Sequence, residues 1–247
     1  MSKSSSVVGR HPVLEALQSD TEVDKVLISK QARGETIQKI KELCQEKGIY
    51  IQSVPEEKLH RVFRNLNHQG VAALISIIDY YELQELVDSV LDSGELPFFI
   101  ILDGITDVRN FGAIARTAYG LGAHGIIIPN KKYASVHADA VKASAGALLN
   151  IPICKVNNTV AAIKDLKLNG INIVGVHAFT DYYITDIPGD VPLGLVMGSE
   201  DKGISKLAQK EIDNFYKVPI QSLESYNVSV AAALAMYQVK INRKTNW

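Results

Sequence analysis

Three polar turns in this chain carry side chains able to bind a ligand. The first lies in residues 102–118, LDGITDVRNFGAIARTA, where Asn110 and Arg116 stand six residues apart and Gly112 permits close approach. The second lies in residues 193–204, LGLVMGSEDKGI. A very apolar strand there runs into Gly198, Ser199 and Glu200, then Lys202 and Gly203, and glycines directly after a strand let backbone approach a ligand. The third is residues 218–240, VPIQSLESYNVSVAAALAMYQVK. Ser222, Ser225 and Asn227 can each cap a helix start, which aims N–H groups and the positive end of the helix dipole outward. The helix behind them has side chains small enough for a backbone or a flat ligand to come very close. Taken singly, the three read equally as a capped helix with a surface Arg, a generic turn and a capped Ala-rich core helix. Taken jointly, they are far more specific. Neither GxGxxG nor GxxxxGK[ST] occurs, so the common dinucleotide and Walker A phosphate loops are excluded.

These turns need a scaffold that brings strand ends together. From residue 97 the pattern alternates strand and helix, the sign of a mostly parallel sheet. Strands are expected at 98–103, 125–128, 153–156, 171–177, 193–197 and 216–220. Helices are expected at 110–121, 138–147, 160–169 and 205–214, and a further one from Val228. Open α/β sheets bind ligands at the C-terminal ends of their strands, where the three turns would lie. Residues 1–78 form a second, smaller α/β pattern. Residues 1–6 read as a disordered tail, and Gly9 as a turn before a helix starting near Pro12. Strands follow at 23–28, 49–54 and 71–78, with helices at 35–47 and 56–63. Its basic and polar loop residues, Arg10, His11, Arg61, Arg64 and His68, could meet RNA phosphates and bases or be plain solvated surface. Residues 79–97 read as an acidic linker and helix leading into a domain spanning 98–247.

The 247 residues correspond to about 1.6 average domains, and 47% apolar with 21% charged residues is ordinary for a globular chain. Net charge is −1, but it is unevenly spread. Residues 1–78 carry +2, residues 79–97 carry −6 and residues 98–247 carry +3. Two mildly basic parts permit an RNA partner without demanding one. No apolar run approaches the ~18 residues of a membrane span, and no apolar signal core follows the N-terminus. No membrane partner is expected, and a cytoplasmic location is. Cys44 and Cys154 fit no zinc or redox spacing and read as buried free thiols; no metal site is expected.

The three turns resemble the motifs of the SpoU (TrmH) branch of the SPOUT RNA methyltransferases. The first family motif, DxxxDPxNxGxIxRTA, is matched by Asp103 to Ala118, with Val108 in place of Pro. The second, hhhGxExxGh, is matched by Leu195 to Ile204. The third, IPMxGxxxSLNVSVA, is matched by Val218 to Ala231, with Tyr226 in place of Leu and with Gln221 and Leu223 also departing. GRHPVLEAL near the N-terminus and the turn Asn67-His68-Gln69-Gly70 resemble the family's L30e-like substrate-binding domain. The match covers nearly the whole chain.

The resemblance implies an α/β fold whose C-terminal, mostly parallel sheet is threaded as a deep trefoil knot, preceded by the small L30e-like domain. It implies S-adenosylmethionine as cofactor, cradled around Leu195, Met197, Gly198, Glu200, Gly203, Ile220, Tyr226 and Ser229. It implies methyl transfer to a ribose 2′-hydroxyl and a homodimer with sites near the interface. Asn110, Arg116, Glu200, Ser225 and Asn227 take the catalytic places. Arg normally stays protonated, so Arg116 is expected to act on a phosphate and on developing charge rather than as a base. The two-domain layout most resembles members that modify a guanosine of 23S rRNA. A tRNA substrate is the nearest alternative, and a non-catalytic RNA-binding factor on the same fold is a more distant one.

Overall fold

The computed structural model describes residues 6–131, 133–134, 136, 138–222 and 225–243. Packing divides it into two compact units. One runs to Asp79 and takes in a short stretch ending at Asp139; the other comprises Tyr80–Ala134 and everything from Ala140 onward.

The first unit contains β1 (Ser6–Val8), α1 (Arg10–Gln18), β2 (Val23–Ser29), α2 (Glu35–Glu46), β3 (Tyr50–Val54), α3 (Glu56–Val62) and β4 (Val71–Ile75). Its sheet has the order β1-β4-β2-β3, with only the β2–β3 pair parallel. Every residue of β2 is buried, because both sheet faces are covered. Val26 and Ile28 join Val13, Leu17, Ile37 and Ile40 of α1 and α2, while Leu27 turns the other way to Leu59 and Phe63. That split is the two-residue period of a strand.

Three expectations change here. Residues 1–5 of the expected tail lie outside the described residues, but Ser6 is strand, paired with Leu74 along the edge of β4. The first helix starts at Arg10, behind Gly9 at φ 103°, so Pro12 falls in the first turn, where a missing N–H costs nothing. β4 stops at Ile75, since Ser76 turns its hydroxyl onto both the N–H and the carbonyl of Ile78.

The second unit contains α4 (Leu83–Asp92), β5 (Phe98–Asp103), α5 (Val108–Gly120), β6 (Gly125–Pro129), α6 (Ala138–Ala143), β7 (Ile153–Val156) and α7 (Thr159–Leu168). It continues with β8 (Asn172–Val176), β9 (Leu193–Gly198), α8 (Lys206–Gln209), β10 (Asn214–Tyr216) and α9 (Val228–Asn242). All six strands are parallel, in the order β10-β8-β9-β5-β6-β7. Central strands covered on both faces read as continuous apolar runs, and β9 is buried along its whole length. The acidic helix α4 is no free linker. Its Leu86, Val87 and Val90 pack into the core with Phe99, Ile101 and Ile163. Cys44 and Cys154 are free and buried, and burial pushes their thiols up to about 11 and about 12, so both stay protonated at neutral pH.

The helix expected over 138–147 breaks at Ala143, because Ala145 and Gly146 adopt left-handed backbone. The strand expected at 216–220 falls at Asn214–Tyr216 instead. Pro219 has no N–H to give a ladder, and the Asp213 carboxylate draws the chain in earlier by accepting from Ile173 N–H at 2.8 Å. The helix expected over 205–214 shrinks to α8 for the same reason.

The last turn of α9 is held by loops from elsewhere in its unit. Asn242 donates to the carbonyls of Thr185 and Ile187, and Arg243 to those of Leu96, Pro97 and Val191. A Cβ on Gly189 would sit 2.2 Å from the Asn242 backbone. Among the described residues no helix is long and apolar enough to cross a membrane.

Candidate active site

The switch in strand order lies at β5 and β9, and three turns meet at the C-terminal ends of these strands. β9 ends in Gly198, followed by a tight turn in which Ser199 and Gly203 exchange backbone bonds of 3.1 and 2.8 Å. A Cβ on Gly198 would lie 2.1 Å from the Gly203 carbonyl carbon, so only glycine fits there. Asp103, at the end of β5, clamps this turn. Its Oδ2 accepts from Ser205 N–H at 2.7 Å and its Oδ1 from the Thr159 hydroxyl at 2.9 Å. Asp103 opens the first motif and ends an apolar strand, but no site role was expected of it.

Helix α5 begins at Val108, two residues earlier than expected. The Asp107 side chain caps it, accepting from Arg109 N–H at 2.8 Å and Asn110 N–H at 3.0 Å. Asn110 is thereby fixed in the first turn. Gly112 lets this helix approach α6: a Cβ there would be 2.5 Å from the Ala143 Cβ.

Asn227 joins these pieces. As the cap of α9, its Oδ1 accepts from Ser229 N–H at 2.9 Å and from the Ser229 hydroxyl at 2.6 Å. Its Nδ2 donates to Asn110 Oδ1 at 3.1 Å and to Glu200 Oε1. Both amide hydrogens and both carbonyl lone pairs of Asn227 are therefore used. Asn110, Glu200, Asn227 and Ser229, drawn from three distant stretches, form one cluster.

Beside it opens a cavity of about 490 Å³, within the usual size of a small-molecule site. Met197, Gly198, Glu200, Gly203, Ile220, Ser225 and Tyr226 line it, all expected site residues. Val176, His177, Phe179, Tyr183 and Lys217 line it too, and nothing in the sequence marked them. Val176, Met197, Val228 and Ala231 give an apolar wall for a flat purine. Glu200 gives a negative charge that suits a sulfonium. The residues present thus fit S-adenosylmethionine. The Tyr226 hydroxyl donates to the Pro219 carbonyl at 3.1 Å, tying these two lining residues together.

Several expected residues lie elsewhere. Leu195 is fully buried and outside the cavity lining, because it sits three residues before the end of β9 and pairs with both Ile100 and Val174. On the small helix behind the third turn, Ala232 is likewise fully buried, whereas Ala231 reaches the cavity. Arg116 is exposed on α5 and belongs neither to the Asn227 cluster nor to the cavity lining. Six residues at about 100° each turn it well away from Asn110. In the first unit, His11, Arg61 and Arg64 are exposed. Arg10 is held by Gln69, whose Oε1 and carbonyl accept from its N–H and Nε. His68 is only 4% exposed and works inside its own turn, not on an open surface. Its Nδ1 accepts from Gly70 N–H at 3.0 Å, so its proton sits on Nε2 and points at His60 Nδ1, 3.1 Å away.

Two family models match the chain: the SpoU rRNA Methylase family over residues 97–237, and RNA 2′-O ribose methyltransferase substrate binding over residues 6–81. The chain belongs to the SpoU/TrmH family of S-adenosylmethionine-dependent RNA methyltransferases. A SpoU/TrmH relative from Bacillus subtilis (strain 168), YacO, named for TrmH family tRNA/rRNA methyltransferases, is 38% identical over 94% of both chains. A Staphylococcus haemolyticus (strain JCSC1435) protein named for the same family is 38% identical over the same shares. Among solved structures, the SpoU methyltransferase AviRb from Streptomyces viridochromogenes in complex with AdoMet aligns with a TM-score of 0.61 at 21% identity, over 96% of this chain and 90% of that one. An AdoMet-bound rRNA methyltransferase from Sinorhizobium meliloti aligns with a TM-score of 0.62 at 21% identity, over 98% and 90%. These likenesses bear on the fold: a parallel-sheet SPOUT unit behind a small N-terminal domain.

Proposed function

We propose that this SpoU/TrmH protein methylates the ribose 2′-hydroxyl of a guanosine in 23S rRNA. The observation that carries the reading is the Asn227 bridge, which joins Asn110 to Glu200, a residue of the cavity lining. The match of residues 6–81 to a 2′-O ribose substrate-binding family supports ribose as the acceptor. S-adenosylmethionine supplies a methyl group on a sulfonium centre, held by Met197, Gly198, Gly203, Ile220 and Tyr226. Asn110 and Asn227 orient the ribose, and Glu200 and Ser225 order them. Ribose O2′ is a poor nucleophile until its proton is accepted. Arg116, exposed on α5, binds an RNA phosphate, while phosphate or solvent takes the O2′ proton. Arg10, His11, Arg61 and Arg64 hold RNA through the first unit.

The same reading includes a homodimer in the cytoplasm. Val230, Leu234, Tyr237 and Ile241 are exposed and recur along one face of α9, a stripe suited to a second copy. It also includes the deep knot, supported by the loop before β9 lying against the last turn of α9. The test is transfer of labelled methyl to total rRNA and, separately, total tRNA from cells lacking the protein, with ribose-methylation mapping. Label at one guanosine of large-subunit rRNA is expected. Label in tRNA alone would overturn the substrate and keep the chemistry.

A further inference from the structure

The outer wall of the cavity is built by the segment that follows β8, where no motif falls. His177 N–H donates to the Tyr216 carbonyl at 3.0 Å, and His177 Nδ1 accepts from Phe179 N–H at 3.2 Å. These bonds fix the turn and aim the Phe179 ring. Phe215, His177 and Phe179 then form a row of rings from the sheet outward. The His177 centroid is 5.8 Å from Phe215, at 69°, and 5.6 Å from Phe179, at 54°. The outermost ring lines the cavity yet is 90% exposed. Its apolar surface gains nothing from the protein's own core, so it is available to whatever lands on it. On the same wall Lys217 Nζ stands 4.8 Å over the Tyr183 ring, putting a cation at this rim.

We infer that Phe179 is a stacking platform for an unpaired nucleobase of the RNA substrate, beside the cofactor cavity. The inference rests on the RNA 2′-O-methyltransferase reading and names a contact of that same site. Proteins that bind single-stranded RNA stack its bases on aromatic rings. A ribose that enters this cavity brings its base out of any helix, and that base needs a surface. The Lys217 charge has the sign a phosphate requires. Phenylalanine offers no hydrogen bond, so Phe179 contributes affinity and not base identity.

Two measurements test this on the full chain, with Phe179→Ala, Phe179→Trp and Phe179→Leu. The first is the KM for RNA beside the Kd for S-adenosylmethionine. The second needs no turnover: quenching of a single-stranded oligoribonucleotide carrying one 2-aminopurine. Phe179→Ala is expected to raise the RNA KM about tenfold or more and abolish quenching, with cofactor Kd within about twofold. Phe179→Trp restores both readings, and Phe179→Leu restores neither. Weakened cofactor binding with an unchanged RNA KM would overturn the inference, because the ring would then cover the cofactor's adenine. So would absent quenching by the wild-type protein. Quenching without methyl transfer to rRNA or tRNA would refute the methyltransferase reading and leave the stacking contact standing.

Discussion

The turn at residues 67–70 in the first unit and the turn ending at Asn227 in the second use the same device to different ends. In each, a polar side chain takes a backbone N–H two residues on: His68 from Gly70, Asn227 from Ser229. The bonds of the first stay local or return to neighbouring elements. His68 meets His60, and Gln69 meets Arg10. Asn227 caps its own helix and also reaches Asn110 and Glu200, which lie 117 and 27 residues away in sequence. One turn fastens α1 and α3 within its own unit and supports a fold. The other ties three segments together beside a cavity, and there the chemistry belongs.

The sharpest way to break this contrast is Asn227→Asp. An aspartate keeps the cap, loses both donations and sets a carboxylate against Glu200. Methyl transfer should fall about 10²-fold or more, by analogy with losing one preorganised donor. The circular dichroism melt should barely move. Initial rates close to wild type would show that the bridge is not needed.

Packing differs between the units too. Gly189→Ala forces a Cβ to 2.2 Å from helix backbone, whereas the nearest atom to a Cβ on Gly70 is the Ala32 Cβ at 2.9 Å, at φ +80°. The first should destabilise its unit beyond the usual range of about 1–3 kcal/mol for overpacking. The second should cost about 1–3 kcal/mol through the positive φ. Hydrogen exchange resolved by unit separates the two effects, and equal protection in both variants would contradict the ranking.

A pH titration probes the first turn alone. Burial first, and then the neighbouring His60 charge, hold the His68 pKa below its ordinary value. The unfolded chain then binds a proton that the folded unit resists. The stability contribution is whole above about pH 6.5 and is lost as pH falls from there through the lower folded pKa. Urea melts of the first unit should show this slope, and His68→Asn, which keeps an acceptor for Gly70 N–H, should flatten it. The smallest effect belongs to Val108→Pro. Position 108 opens α5 directly after the Asp107 cap, where proline fits. It should add up to about 1 kcal/mol and leave the methyl-transfer rate unchanged.

Much of the second unit could be read in advance because parallel strands covered on both faces announce themselves. The runs at β5, β6 and β9 are apolar without alternation. Asn110, Glu200 and Asn227 were legible because each follows a strand end or starts a helix. The wall formed by His177, Phe179, Tyr183 and Lys217 was not, since cavity walls assemble from segments with no local signature. Leu195 and Arg116 lie outside the cavity lining for geometric reasons: one sits deep in its strand, the other far around its helix. His68 misled because a histidine in a polar turn looks exposed until its ring nitrogens are accounted for.

The seat for the last turn of α9 is made by Leu96 and Pro97, which lead into β5, and by the 185–191 loop, which leads into β9. α9 comes after every other element in chain order, so during synthesis that seat waits for it. The first unit can finish early, because its sheet and both core clusters close within residues 6–79. The helix that completes the second unit is the one Asn227 caps. Finishing the fold and assembling the Asn110–Asn227–Glu200 bridge are thus a single event. A nascent or partly unravelled chain without docked α9 lacks that bridge.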